Sequence, residues 1–337
     1  MKVSVVIAAY NHEKYVVQAI HSVLDQTFQD FEIILIDDAS TDRTFDLAQS
    51  ILDPRLVCLR APQNRGVSAT YNACIERARG DYIAVLNSDD MFHPEKLARQ
   101  VALLDGDAAT GAVFSHAGLI GEDGRARADE RPGWNVFNQP NRSRHAWLRH
   151  FFFAGNCLCH PSVMIRKAVH DQIGVYDIRY AQIHDLDLWI RLCLHTGIQV
   201  IEEPLTLFRV RDNQANANNH RPETVRRIDW EYDQVVQRYL QLVDFSSFNA
   251  VFPENTLRED EWDEDAQRYA LAKLAIGGPR PAHQRLALQL LHDLFGRLGM
   301  EEMERRFGLP LNWFLQTTGA VSLSFFSAGA AAGPAQP

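Results

Sequence analysis

Two adjacent carboxylates, Asp89 and Asp90, close the segment Leu86-Asn87-Ser88-Asp89-Asp90. The apolar run Tyr82-Ile83-Ala84-Val85 precedes them, and a helix-like stretch opens after them at Pro94. This places the pair at the carboxyl end of a buried strand, where open α/β sheets bind their ligands. Carboxylate oxygens suit a hard divalent cation, and such a cation suits a nucleoside diphosphate. An Asp-Asp turn that only caps the next helix is the competing explanation. A further acidic cluster runs His184-Asp185-Leu186-Asp187-Leu188-Trp189-Ile190-Arg191. If Leu186, Trp189, Ile190 and Cys193 face a core, Asp185 stands near a helix start, where the helix dipole favours its ionised form. A carboxylate there, at the mouth of a cleft, can take a proton from an attacking hydroxyl, or it can simply cap the helix. Asp38 ends another apolar run and could accept hydrogen bonds from a base or ribose, or serve as a turn residue.

The elements that must position these groups follow a regular beat. Strands are expected at Val3 to Ala8, Phe31 to Ile36, Leu56 to Leu59, Tyr82 to Leu86 and Ala112 to Ile120. Helical spacing lies between them: Tyr15 to Leu24, a stretch from the Asp37 to Asp42 turn to about Leu52, Gly66 to Ala78, and Pro94 to Leu104. Continuously apolar strands with intervening helices imply a parallel sheet covered on both faces. After Gly121 the rhythm changes. Gly121 to Asn141 reads as a loop, Ser143 to Phe153 as helix, Ser162 to Ile165 as strand, Leu186 to Leu194 as helix and Gln199 to Ile201 as strand. The polar run Arg211 to Pro222 should be mobile. Thr224 to Val243 reads as one amphipathic helix, and from about Asn255 the chain is helical with a break at Gly277-Gly278-Pro279. These readings divide the chain into 1–220, with a nucleotide-binding half 1–120 and an acceptor half 121–220, a helical extension 221–318, and a flexible tail 319–337.

Composition narrows the choices. At 46% hydrophobic and 23% charged the 337 residues are those of an ordinary globular protein. A net charge of -9 argues against a general nucleic-acid binder. Five cysteines without framework spacing read as free thiols of a reducing cytoplasm. Cys157 and Cys159 beside His160 lack the second cluster a structural zinc site needs, so they are expected to be buried thiols. Trp147, His150 and Phe151-Phe152-Phe153 read most simply as core. Ala8-Ala9-Tyr10-Asn11-His12 stands where a dinucleotide-binding loop would carry glycines, and no phosphate-loop lysine motif replaces it. No window approaches the roughly 18 apolar residues of a membrane span. The tail, with Phe325-Phe326, could touch a membrane surface or fray.

In this order the clusters resemble glycosyltransferase family 2, the inverting GT-A enzymes that use nucleotide-activated sugars. The likeness is carried by Val3 to Asn11, by Ser22-Val23-Leu24-Asp25-Gln26-Thr27-Phe28 with Phe31 to Asp42, by Asn64-Arg65-Gly66 through Asn72, and by Gly80-Asp81-Tyr82-Ile83. Asn87-Ser88-Asp89-Asp90 falls on the metal motif, and His160-Pro161-Ser162-Val163-Met164 and His184 to Trp189 on the acceptor side. The match spans residues 1 to about 215. It implies an α/β GT-A fold: a Rossmann-like, mostly parallel sheet flanked by helices, here with a C-terminal helical extension.

The same resemblance implies site roles. Ala8, Tyr10, Asp38, Arg65, Asn72, Ser88 and Asp89 would surround the nucleotide, with Tyr10 stacking on the base. Asp90, with Asp89, would bind Mg²⁺ or Mn²⁺ bridging the diphosphate, and Asp185 would be the catalytic base. His160, His184, Trp189, Arg209 and Arg211 would serve the diphosphate or the acceptor. Asp38, Asp90 and Asp185 are thus expected to converge on one cleft. Two positions depart from the family pattern: Asn87 replaces the commonest Asp, and His184 precedes the base where Glu is frequent. A protonated His184 would lower the pKa of Asp185. The implied reaction moves a sugar from a nucleoside-diphosphate-sugar, most often a UDP-sugar, to a hydroxyl of a glycan or lipid-linked acceptor in bacterial surface polysaccharide assembly. The implied setting is the cytoplasm, with peripheral contact at the inner face of the membrane and no nucleic-acid partner. The C-terminal helices could pair with a second copy or with other transferases, or simply pack as a core. A nucleotidyltransferase should carry a Gly-rich basic signature after the first strand, absent here. A binding or assembly module without turnover would not need both Asp90 and Asp185.

Overall fold

Unbroken runs rich in Val and Ile become the central strands, because a strand covered on both faces has no position for water. β1 (Val3–Ala9), β2 (Phe31–Asp37) and β4 (Tyr82–Asn87) run parallel, and β3 (Leu56–Arg60) adds to β2 in the same sense. The computed structural model describes residues 1–127, 134–211 and 221–320, in two compact units: residues 1–151 with 155–219, and 152–154 with 220–337. In the first unit, α1 (Val16–Leu24), α2 (Thr44–Gln49), α3 (Val67–Arg77) and α4 (Lys96–Gly106) supply the crossovers. Val5, Ile7, Val16, Ile20, Ile33, Leu35, Leu86 and Leu97 lie together in its core.

The sheet has eight strands in the order β3-β2-β1-β4-β7-β6-β8-β5. It is mixed and mostly parallel. β6 (Thr110–Ile120) and β8 (Gly197–Arg209) are parallel, whereas β7 (Met164–Arg166) opposes β4 and β6, and β5 (Met91–Phe92) opposes β8. β7 holds three residues and falls on the strand expected at Ser162 to Ile165, while β5 holds two, too few for a periodic signal. β8 is far longer than the expected Gln199 to Ile201. Its register against β6 jumps between Ser115 and Ala117, which leaves Glu202-Glu203-Pro204-Leu205 as a bulge. A proline is tolerated at such a bulge, and the strand resumes beyond it to deliver Arg209 to the site.

Gly80 ends the approach to β4, and a Cβ there would stand 2.5 Å from the Ser4 backbone nitrogen. α5 (Arg144–Phe153), α6 (Lys167–Ile173) and α7 (His184–His195) follow. The second unit is built on α8 (Pro222–Val235), α9 (Phe245–Val251), α10 (Glu264–Ile276), α11 (Pro281–Phe307) and α12 (Leu311–Ala320). The helix expected to reach Val243 stops at Val235 and tightens into a 3₁₀ turn over Val236–Gln241. The glycine break falls between α10 and α11 as expected. Phe152 packs its ring on Tyr239, Phe252 and His283 in this unit, so its expected core role holds. Among the described residues no helix is long and apolar enough to cross a membrane. Most of the polar run from Arg211 to Pro222 and nearly all of the expected tail lie outside the described residues.

Candidate active site

The carboxyl ends of β1, β2 and β4 meet where the strand order reverses, the crevice in which such sheets take ligands. Two non-glycine residues there adopt left-handed backbone, Asn11 (φ 52°) and Ala39 (φ 59°). Such strain persists only when neighbours over-determine it. Asn11 Oδ1 accepts the Thr41 N–H at 2.9 Å, and Ser40 Oγ accepts the Asn11 N–H at 3.0 Å. Asp38 takes part in this frame. Its carboxylate accepts the N–H groups of Arg65 and Gly66, each at 2.9 Å, and so ties the start of α3 to the end of β2. Asn72 is also a tie: its amide donates to the Tyr176 carbonyl at 2.8 Å and accepts the Tyr176 N–H at 3.0 Å. Of the other expected nucleotide contacts, Tyr10 is 44% exposed, Arg65 is exposed and Ala8 is half-buried.

The two aspartates after β4 are inequivalent. Asp90 is 1% exposed, its Oδ1 accepting the Arg209 N–H at 2.7 Å and its Oδ2 the Asn87 amide at 2.9 Å. Burial, then the neighbouring Asp89, push its carboxyl well above the usual range despite those donors. Asp90 is thus the inward member of the pair, each of its oxygens accepting one hydrogen bond from the frame. Asn87 explains the difference, because an amide can donate to Asp90 where an ionised carboxylate could not. Asp89 presents the accessible carboxylate, its side chain 13% exposed, with Arg211 Nη1 at 3.5 Å and His12 Nε2 at 3.7 Å. Among the described residues no three His, Cys, Asp or Glu side chains converge on one point. A magnesium-type site commonly uses one or two carboxylates and completes its shell with ligand phosphates and water. Asp89 is the more accessible of the two carboxylates for that role.

His12 was missed in the sequence, where its segment registered only as lacking glycines. Arg211 lies 3.0 Å from His12 Nε2 and can only donate, so that nitrogen is the acceptor and Nδ1 carries the proton toward Ser88 Oγ at 2.8 Å. Burial lowers the His12 pKa, which suits this neutral form. Arg209, expected at the diphosphate or acceptor, lies on the same frame. It is fully buried and donates to the Asp89, Gly121 and Glu122 carbonyls and to Gln18 Oε1 at 2.6 to 2.9 Å, so it clamps the frame.

A wall of rings leads from this corner to Asp185. The Tyr71 hydroxyl donates to Asn87 Oδ1 at 2.9 Å, and its ring lies 5.3 Å from His160 and 5.6 Å from Tyr176. His160 Nε2 and the Tyr176 hydroxyl are 2.8 Å apart, and both rings contact His184. Burial, then His184, hold His160 well below its ordinary pKa. Asp185 follows His184 in the first turn of α7, whose N-cap is Ile183, so Asp185 is not the cap. Its Oδ2 accepts the Asn156 amide at 2.6 Å, and its Oδ1 accepts the Leu186 N–H at 2.7 Å. Burial raises its pKa, against the lowering effects of His184 and these donors. Trp189, expected near the acceptor, is fully buried, its ring edge-on to Phe114 at 4.7 Å and 6.0 Å from that of His160. Cys157 and Cys159 are buried free thiols, both raised by burial. Asp38, Asp90 and Asp185 therefore do not all open on a cleft: the first two hold the frame, and Asp89 takes the accessible place beside it.

The eight-stranded mixed sheet thus carries carboxylates at the end of β4 and at the start of α7. The profile described as Glycosyl transferase family 2 matches residues 4–174, and the chain belongs to that family. An uncharacterised glycosyltransferase of Methanocaldococcus jannaschii is 30% identical over 219 residues, 63% of this chain and 72% of that one. The Escherichia coli UDP-Glc:alpha-D-GlcNAc-diphosphoundecaprenol beta-1,3-glucosyltransferase WfaP is 28% identical over 229 residues, 67% of this chain and 83% of its own. Among solved structures, S. aureus TarS in complex with UDP-GlcNAc superposes with a TM-score of 0.55 at 18% identity, covering 91% of this chain and 92% of that one. The Pyrobaculum calidifontis mannosyltransferase PcManGT, in complex with GDP-Man and Mn2+, gives 0.53 at 16% identity, covering 94% and 86%. These likenesses support the fold.

Proposed function

We propose that this glycosyltransferase inverts the anomeric centre of a nucleoside-diphosphate-sugar, a UDP-sugar foremost, while moving the sugar to a hydroxyl of a glycan or lipid-linked acceptor. The observation that carries this reading is the continuous wall from Asn87 through Tyr71, His160, Tyr176 and His184 to Asp185. It runs between a corner suited to a diphosphate and a carboxylate suited to a proton. Tyr10, Ala8 and Arg65 would line the nucleoside, with Asp38 and Asn72 shaping that pocket from behind. Asp89 would hold Mg²⁺ or Mn²⁺, which when bound would supply positive charge to the diphosphate. Arg211, oriented by His12, would meet the diphosphate as it leaves. Asp185 takes the acceptor proton, and its raised pKa brings it nearer the working pH of a general base.

The UDP-linked substrate and diphosphoundecaprenol acceptor in the name of WfaP support a hexosyl donor and a lipid-linked acceptor here. The setting proposed with them is the cytoplasmic face of a bacterial membrane, in surface polysaccharide assembly. Asp185→Asn is expected to lower transfer by on the order of 10²- to 10⁴-fold, while calorimetric binding of UDP is retained. Turnover close to wild type would remove Asp185 from the role.

A further inference from the structure

The carboxylate of Asp185 is held from two sides, and one of them is a short segment with no other evident task. Gly155, with φ of +86°, reverses the chain just before Asn156. Asn156 Oδ1 accepts the Leu158 N–H at 3.0 Å, which decides the orientation of the amide. Its Nδ2 is thereby turned to Asp185 Oδ2 at 2.6 Å, a short bond of the charge-assisted kind. The Leu186 N–H meets the other oxygen at 2.7 Å. One fixed donor on each oxygen sets the plane of the carboxylate, and each oxygen keeps acceptor capacity for a further proton donor.

We propose that Asn156 is a positioning residue for sugar transfer: its amide, aimed by the turn from Gly155 to Leu158, fixes the orientation of the Asp185 carboxylate and solvates its charge. This rests on the reading of Asp185 as the base. In the reaction the acceptor O–H bond breaks and its proton passes to Asp185. The acceptor oxygen bonds to the anomeric carbon, and the bond from that carbon to the diphosphate breaks with its electron pair staying on the diphosphate. A carboxylate free to rotate would meet the acceptor proton in only a fraction of its orientations. The other titratable groups beside Asp185 are His184, Tyr176 and Cys159. Tyr176 and Cys159 are held neutral by burial, and burial likewise holds His160, which packs on His184, in its neutral form.

The test separates donation from shape. Asn156→Asp keeps the oxygen that accepts the Leu158 N–H but replaces the donor facing Asp185 with a second carboxylate. Asn156→Ala removes both. The 337-residue chain, labelled with ¹³C at aspartate carboxyls, is titrated by NMR, with the Asp185 signal assigned by its loss in Asp185→Asn. In Asn156→Asp the two carboxyls should titrate as a pair, the upper step ~1 pH unit or more above wild-type Asp185. A smaller rise is expected in Asn156→Ala. The rate of UDP release from UDP-glucose should fall roughly tenfold or more in both at neutral pH, recovering in Asn156→Asp as pH rises, with KM for the donor unchanged. An Asp185 titration that does not move in Asn156→Asp would overturn the proposal, and so would loss of folding in both variants, which would assign Asn156 to the fold alone. If the titration moves but Asp185→Asn still turns over, the positioning contact stands and the base assignment falls.

Discussion

Arg209 and Arg211 are two residues apart and chemically identical, yet the structure gives them opposite tasks. Arg209 is saturated by carbonyls and fully buried, whereas Arg211 faces Asp89 and His12 at the edge of the site. Removing a buried charge strands its partners, so Arg209→Ala should cost ~3–5 kcal/mol, read as a lowered urea midpoint. Arg211→Ala should cost less than about 1 kcal/mol and should weaken UDP binding in calorimetry. Equal effects of the two on stability would reject this division. The contrast was not legible beforehand, because both arginines read as cations on a segment near the diphosphate. Asp89 and Asp90 repeat the lesson, since only the three-dimensional environment separates a committed carboxylate from an accessible one.

Lys96 is a further residue whose state depends on its surroundings. It is fully buried on α4, donates to Gln100 Oε1 at 2.8 Å and sits 4.1 Å from the centre of the Phe92 ring. Burial lowers its pKa from 10.5 to about 7. The unfolded chain therefore holds this proton more tightly than the folded one, so the penalty is full below pH 7 and fades as pH rises toward 10.5. Lys96→Met should flatten stability over that window and raise it at neutral pH by ~1–4 kcal/mol, visible in urea melts across pH. A wild-type profile already flat between these limits would contradict the burial of a charge here.

At the scale of elements, the strands and helices up to β6 could be read because their burial imposes the periods of two and 3.6 that a sequence records. The glycines of that stretch are legible too, once the backbone is in view. Gly80 lies where a methyl group would meet the Ser4 nitrogen at 2.5 Å and the Val3 carbonyl carbon at 2.7 Å. Neither is a flexible side chain, so β1 and β4 would have to separate. Gly80→Ala should lower stability by ~1–3 kcal/mol, measured as a fall in melting temperature, and an unchanged melt would show that the strands yield without cost. β5 left no trace because a pair of two residues has no period, whereas β7 falls on the strand expected at Ser162 to Ile165. β8 was cut short in the sequence because Glu202-Glu203-Pro204 resembles a terminus, although here it is a bulge inside a longer strand. Asn156 escaped notice for a related reason, since turn chemistry at Gly155-Asn156 signals a loop and not what the loop holds.

For the molecule as a whole, a net charge of -9 should repel a nucleotide, yet the corner beside Asp89 holds the Arg211 guanidinium. Binding of a diphosphate there should depend on local cations, and a metal at Asp89 would add the charge that one arginine lacks. A panel of UDP, GDP and thymidine diphosphate tested by thermal melting with and without Mn²⁺ distinguishes the sources of that charge. A ligand that binds only the folded state stabilises it by about 2.7 kcal/mol at a hundred times its dissociation constant. One diphosphate, expected to be UDP, should raise the melting temperature more with Mn²⁺ than without. Asp89→Asn should erase the Mn²⁺-dependent part and leave the metal-free shift, because Arg211 remains. Asp90→Asn should instead lower the melting temperature of the unliganded protein, because an amide cannot accept both the Arg209 N–H and the Asn87 amide in the same geometry. If Asp90→Asn erases the Mn²⁺ effect while Asp89→Asn keeps it, the inward carboxylate must turn out to bind the metal, and the division of labour between the two aspartates is reversed.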